Sequence, residues 1–150
     1  MKSSEPGLWS LAYTSAAVRL PTQAELERLM VRARARNQRE SVTGVLLYYN
    51  GSFLQCIEGP EAGLRRVYGA IRADPTHHLI TELVREPIAR REYREWSMAL
   101  CFISGDPGAA GDERLLSRLG PTDAPTSASR RLVSAFWASG MGVKCSRVPA

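Results

Sequence analysis

The sequence predicts an α+β fold with the element order β-α-β-β-α-β-β, two helices on one face of the sheet and a C-terminal helical extension. Three observations carry this. Two strand-like runs, VTGVLLYY (42–49) and SFLQCIE (52–58), flank Asn50-Gly51, the dipeptide favoured in tight type I′ hairpins. Segments with helical periodicity lie on either side of that hairpin. Two more strand-like runs follow the second of them, HLITELVREPI (78–88) and EWSMALCFIS (95–104).

Each element has a local reason. SLAYTS (10–15) is short, apolar and aromatic, and period two puts Trp9, Leu11 and Tyr13 on one face. In PTQAELERLMVRARARN (21–37), Thr22 and Glu25 have the spacing of a capping box. Leu26, Leu29, Met30 and Ala33 make its apolar stripe, and Asn37, three turns beyond Leu26, falls on the same face. In PEAGLRRVYGAIRAD (60–74), Pro60 and Glu61 suit a first turn, and Leu64, Val67, Tyr68 and Ile71 form the stripe. The last strand aligns Trp96, Met98, Leu100 and Phe102.

This order is that of a ferredoxin-like split βαβ sheet with one added strand. Residues 1–103 are expected to form the domain. Residues 104–150 are Gly-, Pro- and Ser-rich, with helical stretches near 111–119 and 127–138. They are too short for a second domain and are expected to pack on the open sheet face or to form a contact surface.

Composition narrows the function. A chain of 150 residues with 44% hydrophobic and 23% charged residues suits one globular domain with a real core. No apolar run approaches the roughly 20 residues of a membrane span. LWSLAYTSAA is too interrupted by polar residues for a secretory leader, so a cytoplasmic protein is expected. The three cysteines are odd in number and lack metal-ligand spacing, which suits reduced, structural thiols. His77-His78 has no supporting ligand pattern, so no metal is expected. The net charge of +5 comes mostly from arginines scattered along the chain, not from a stripe, which argues against nucleic acid. SFLQCIE also lacks the basic-Gly-aromatic pattern of RNA-binding sheets. No nucleophile elbow is present, and no enzymatic activity is expected.

One residue resists this picture. Gln55 sits inside FLQCIEGP, a run that otherwise reads as a buried strand. Its amide carries two donors and a carbonyl acceptor, and burying them unpaired costs about 1–3 kcal/mol. At period two it shares a face with Phe53 and Ile57, while Leu54, Cys56 and Glu58 share the other. Both faces are largely apolar, so Gln55 meets a covered surface either way. Tyr13, Asn37 and Trp96 are candidates to converge with it. Singly, each has an ordinary explanation: a backbone-bonded glutamine, a left-handed helix cap, core aromatics, and Met98 as core filler.

Together they form a pattern. LAYTSAA, ARNQRESVTGVLLYYNGSFLQCIEGP, IRADPTHH and REYREWSMAL, in this order, make the sequence resemble the BLUF family of flavin-binding blue-light sensors over residues 8–103. The resemblance implies a flavin, FAD with FMN or riboflavin as alternatives, lying between the two helices. It implies that Tyr13 and Gln55 are the photoactive pair and that Asn37 holds the flavin's carbonyl and ring-nitrogen edge. Ser15, Leu46, Phe53, Ile71, Asp74 and His77 would contact the ring or its tail. Trp96 and Met98 would lie beside Gln55 and pass on the signal. Excitation would draw an electron and a proton from the tyrosine, the glutamine would rearrange, and absorption would shift red. Output would run through the last strand and C-terminal segment to an unidentified protein partner or to a homodimer or higher oligomer interface. Three positions depart from the family pattern: Arg36, Thr76 and Ala33. The competing expectation is a ferredoxin-like protein-interaction module that binds no flavin.

Overall fold

The computed structural model describes residues 7–19, 21–49, 51–93, 99–103, 128–129, 131–132 and 143–146. The elements run β1 (Leu8–Ala17), α1 (Gln23–Arg39), β2 (Thr43–Tyr49), β3 (Ser52–Pro60), α2 (Glu61–Ala73), β4 (His77–Pro87), β5 (Ala99–Ile103) and β6 (Val143–Ser146). The order expected from sequence is present as far as β5. The strand β6 was not expected.

The sheet order is β4-β1-β3-β2-β5-β6. The first four strands pair antiparallel. This is the split βαβ arrangement, in which β3 lies between β1 and β2, and β1 lies between β3 and β4. The added strand β5 runs parallel to β2, and β6 returns antiparallel on its far side.

Local chemistry sets the helix and the hairpin. The Glu25 N–H donates to Thr22 Oγ1 at 3.1 Å, and the Thr22 N–H donates to Glu25 Oε1 at 2.9 Å, so the capping box is complete. At the other end α1 continues past Asn37 to Arg39, and the left-handed residue is Ser41, at φ 57°. Asn37 is therefore no left-handed cap; it is fully buried in the last turn. Tyr49 and Ser52 are register partners at the end of the β2–β3 hairpin, where Gly51 sits at φ 87°. Gly44 has a different reason. A Cβ there would lie 2.2 Å from the Cys56 carbonyl oxygen across the ladder.

The core lies between the sheet and the helices. Leu11, Leu26, Met30, Ile57, Leu64 and Val67 are all almost completely buried in it. Each such aliphatic side chain stabilises by about 1.5–3 kcal/mol on burial. The opposite face is covered too: Ala12, Val45, Leu47, Leu54 and Cys56 are buried. Residues 128–129 and 131–132 are helical, and 128–129 lie against this second face. The Cys56 thiol contacts the Ser129 carbonyl oxygen at 3.7 Å, and the Ala128 N–H donates to Glu86 Oε2 at 3.2 Å. Ala128 and Ser129 thus meet the open face. This explains why β3 is buried continuously from Phe53 to Gly59 instead of alternating. The other expected helical residues of 111–119 and 127–138, and the strand start carrying Trp96 and Met98, lie outside the described residues.

Candidate functional site

The site begins with strand register. Gln55 on β3 is flanked by Tyr13 on β1 and Leu46 on β2. One step along, Phe53 is flanked by Ser15 and Tyr48. All point to the helix-covered face. The β1–β4 ladder slips between Ala12 and Tyr13 and again between Thr14 and Ala16, so its register is irregular on either side of Tyr13.

The Tyr13 hydroxyl donates to Gln55 Oε1, and both side chains are almost completely buried. Burial pushes the Tyr13 hydroxyl well above the ordinary phenol range, while the Arg36 guanidinium pulls it down. The Tyr13 ring packs tilted against Tyr68 at 5.6 Å and His77 at 6.3 Å between centroids.

His77 ties three elements together. Its Nε2 lies 2.8 Å from the Ile71 carbonyl oxygen and its Nδ1 lies 2.8 Å from Ser15 Oγ. A carbonyl only accepts, so Nε2 carries the proton, and in the neutral ring Nδ1 accepts from the Ser15 hydroxyl. Asp74, at the end of α2, turns Oδ1 back to Thr76, accepting from its N–H at 2.9 Å and its hydroxyl at 2.7 Å. Burial raises the Asp74 carboxyl, but the two Thr76 hydrogen bonds together with the His77 and Arg32 charges leave it below its usual value. Thr76, one of the departures, thus fixes Asp74 locally.

These residues enclose a chamber of about 50 Å³ lined by Tyr13, Ser15, Leu46, Phe53, Gln55, Ile71, Asp74 and His77, together with Leu29, Met30, Ala33, Arg36 and Thr76. Leu29, Phe53 and Thr76 also border a wider cleft of about 390 Å³ between α1 and the strand ends, within the size range of small-molecule sites. The chamber and cleft form one groove. Asn37 is fully buried and does not line it. Leu29, Met30 and Ala33 were assigned to the core stripe from sequence; the same stripe also walls the groove.

The donor set suits a flat heteroaromatic ligand. Apolar Leu29, Met30, Leu46, Phe53 and Ile71 offer faces for a ring, and Tyr13, Gln55, Ser15 and Asp74 offer polar groups for its edge. The Arg36 Nε is buried without a hydrogen-bond partner, an omission that a ligand acceptor would repair. A flavin, with an apolar face and a rim of carbonyls and nitrogens, fits this set. Among the described residues, no group of three His, Cys, Asp or Glu side chains is placed to hold a metal ion, and no helix is long and apolar enough to cross a membrane.

A second polar cluster lies on the opposite face. The buried Glu58 carboxylate accepts from Thr43 Oγ1 at 3.2 Å and from the backbone N–H groups of Glu92 at 2.9 Å and Tyr93 at 2.6 Å. Arg91 donates to Thr43 Oγ1, to the Glu58 carbonyl and to the Ser41 carbonyl at 2.9, 3.3 and 2.8 Å. Burial raises the Glu58 carboxyl to about 7, against these hydrogen bonds and the Arg91 charge. Sequence reading did not find this cluster, because Glu58 stands 34 residues from Glu92.

Fold and site together define a ligand-binding α+β sensor module with a buried tyrosine–glutamine pair. The chain belongs to the BLUF family, sensors of blue light using FAD, whose model matches residues 8–99. It is 38% identical over 92 residues to the photoactivated adenylate cyclase subunit beta of Euglena gracilis, a match covering 61% of this chain and 11% of that protein. It is 36% identical over 76 residues to the blue light- and temperature-regulated antirepressor BluF of Escherichia coli (strain K12), covering 51% of this chain and 19% of the relative. Among solved structures it is similar to the dark state of the BLUF protein BlrB, with TM-score 0.62, 36% identity, and coverage of 65% of this chain and 74% of that one. It also resembles Klebsiella pneumoniae BlrP1 in a manganese/cy-diGMP complex, with TM-score 0.72, 29% identity, and coverage of 87% and 33%. The chain thus spans about a tenth of the length of the cyclase subunits it matches. It is a blue-light-sensing, flavin-binding domain.

Proposed function

We propose that this chain binds FAD in the groove between α1 and α2 and signals through a hydrogen-bond switch at Tyr13 and Gln55. The observation that carries the reading is the buried Tyr13 hydroxyl donating to Gln55 Oε1 on the groove wall. Bound there, FAD would supply blue-light absorption and an acceptor for one electron and one proton.

The chain's own residues do the rest. Tyr13 is the donor, and burial keeps its hydroxyl protonated in the dark. Gln55 Oε1 faces Tyr13, so its amide nitrogen is directed elsewhere. The two ends of the amide have nearly the same shape, so a flip or tautomerisation exchanges donor for acceptor without repacking the core. Ser15, His77 and Asp74 hold the polar rim of the groove, and Leu46, Phe53 and Ile71 clasp the ring faces. The Asn37 contact that the resemblance implies finds no support in the groove lining, from which Asn37 is absent.

Output follows the strands beside Gln55. In the proposal, Trp96 and Met98 carry the change into β5, and the C-terminal segment moves between two populated states. A cytoplasmic protein partner, or a homodimer or higher oligomer interface, reads that change, and the domain itself turns over no substrate. The test is the visible spectrum of the purified chain before and after blue light. A flavin band that shifts red and recovers in darkness supports the switch. A flavin-free protein would return the chain to the interaction-module reading.

A further inference from the structure

Three arginines on α1 stand in a row. Arg28, Arg32 and Arg36 are spaced four residues apart, which keeps them near one line of the helix surface over about 12 Å. Arg28 and Arg32 line the wide cleft and Arg36 lines the inner chamber, so the row follows the groove from mouth to base.

They lack direct ion-pair partners, although the Asp74 charge acts on Arg32 and Arg36. Arg19, Arg65, Arg66 and Arg85 each form an ion pair with a glutamate, whereas among the described residues none of Arg28, Arg32 and Arg36 does. The groove is lined by two carboxylates, Glu25 and Asp74. Glu25 is held by Arg19, whose Nη1 lies 3.2 Å from its Oε1. Asp74 is turned toward Thr76 by two hydrogen bonds. At the inner end the Arg36 Nε is buried without a partner. A row of guanidinium groups without direct ion pairs along an open cleft suits a phosphate ester, because each presents a planar fork of donors to phosphate oxygens.

We propose that Arg28, Arg32 and Arg36 read the phosphate of the flavin's tail, so that this site selects FMN or FAD over unphosphorylated riboflavin. The inference rests on the flavin reading of the groove and adds the part of the ligand the row recognises. Its chemistry is shared by the FMN monophosphate and the FAD diphosphate.

The test is a fluorescence titration of the full chain, stripped of flavin, with riboflavin, FMN and FAD at low and high salt. The expected result is that FMN and FAD both bind about tenfold or more tightly than riboflavin, with the preference shrinking as salt rises. Inorganic pyrophosphate should compete with FMN but not with riboflavin. Arg28→Gln combined with Arg32→Gln should bring the FMN-to-riboflavin affinity ratio close to one, and Arg36→Gln should lower it separately. Arg28 and Arg32 are exposed, so the double variant should fold, checked by circular dichroism. Equal affinity for all three flavins would overturn the proposal and leave the flavin site standing. FAD preferred while FMN matches riboflavin would also overturn it, pointing to the adenine. Failure of every flavin to bind would remove the flavin reading itself.

Discussion

Tyr13 and Gln55 are register partners across the β1–β3 ladder, and the Tyr13 hydroxyl donates to Gln55 Oε1 on the helix-covered side of the sheet. Two neighbouring backbones therefore hold the pair, and neither loop motion nor ligand binding is needed to bring it together.

Gln55→Leu removes the amide but keeps the volume close. The expected outcome is a chain that still binds flavin but shows no reversible red shift after blue light. The Tyr13 hydroxyl loses its acceptor, so stability should fall by about 1–3 kcal/mol, read by urea denaturation. A normal light-induced shift in this variant would end the switch hypothesis.

Glu58 gives a pH prediction. Its carboxyl is raised in the folded state to about 7 from an ordinary 4.5. The folded chain therefore holds a proton that the unfolded chain releases between those values. Stability contributed by this group is full below about 4.5 and declines as pH rises toward about 7, by at most about 3 kcal/mol. The Cys56 thiol, on the same face, is pushed up to about 12 by burial and lies outside that window. Glu58→Gln should flatten stability between pH 4.5 and 7 in denaturant titrations. It should also turn an amide N–H₂ toward the Glu92 or Tyr93 N–H and loosen the segment leading to Trp96. An unchanged pH slope would assign the effect to another group.

Gly44→Ala should be among the most damaging small substitutions. The new methyl would lie 2.2 Å from the Cys56 carbonyl oxygen, a backbone atom that cannot move aside cheaply. The loss should reach or exceed the usual 1–3 kcal/mol of overpacking, and calorimetry would register it as a lowered Tm. Wild-type stability in Gly44→Ala would mean the β2–β3 ladder is more yielding than its register implies.

Thr22→Ala should cost about 1 kcal/mol by removing the side-chain acceptor for the Glu25 N–H. Because the cap lies at the outer end of α1, the change should lower the melting temperature without altering the light-induced shift. Loss of the shift would show that the α1 terminus is coupled to the switch.

The sequence was most readable where local chemistry decides. The Thr22–Glu25 box, the β2–β3 hairpin and the stripe of Leu64, Val67, Tyr68 and Ile71 are short-range patterns, and the structure contains each one. It was least readable where a partner lies far along the chain. Strand β6 is the tetrapeptide VKCS, with little strand pattern of its own; it pairs because β5 offers an open edge. Asn37 was a plausible helix cap by composition, but α1 runs on and Ser41 takes the left-handed turn.

By itself, the sequence determined the strand and helix order as far as β5, the covered setting of Gln55 and, through a series of ordered motifs, the family. Periodicity and turn chemistry act over a few residues, so a single chain displays them directly. Tertiary structure alone decided that Gln55 and Tyr13 are bonded, that His77 bridges Ser15 to Ile71, and that Glu58 grips the backbone at 92–93. It also decided that Arg28, Arg32 and Arg36 follow one groove. Each is a meeting between distant positions or an orientation toward shared space, fixed by sheet register and helix packing.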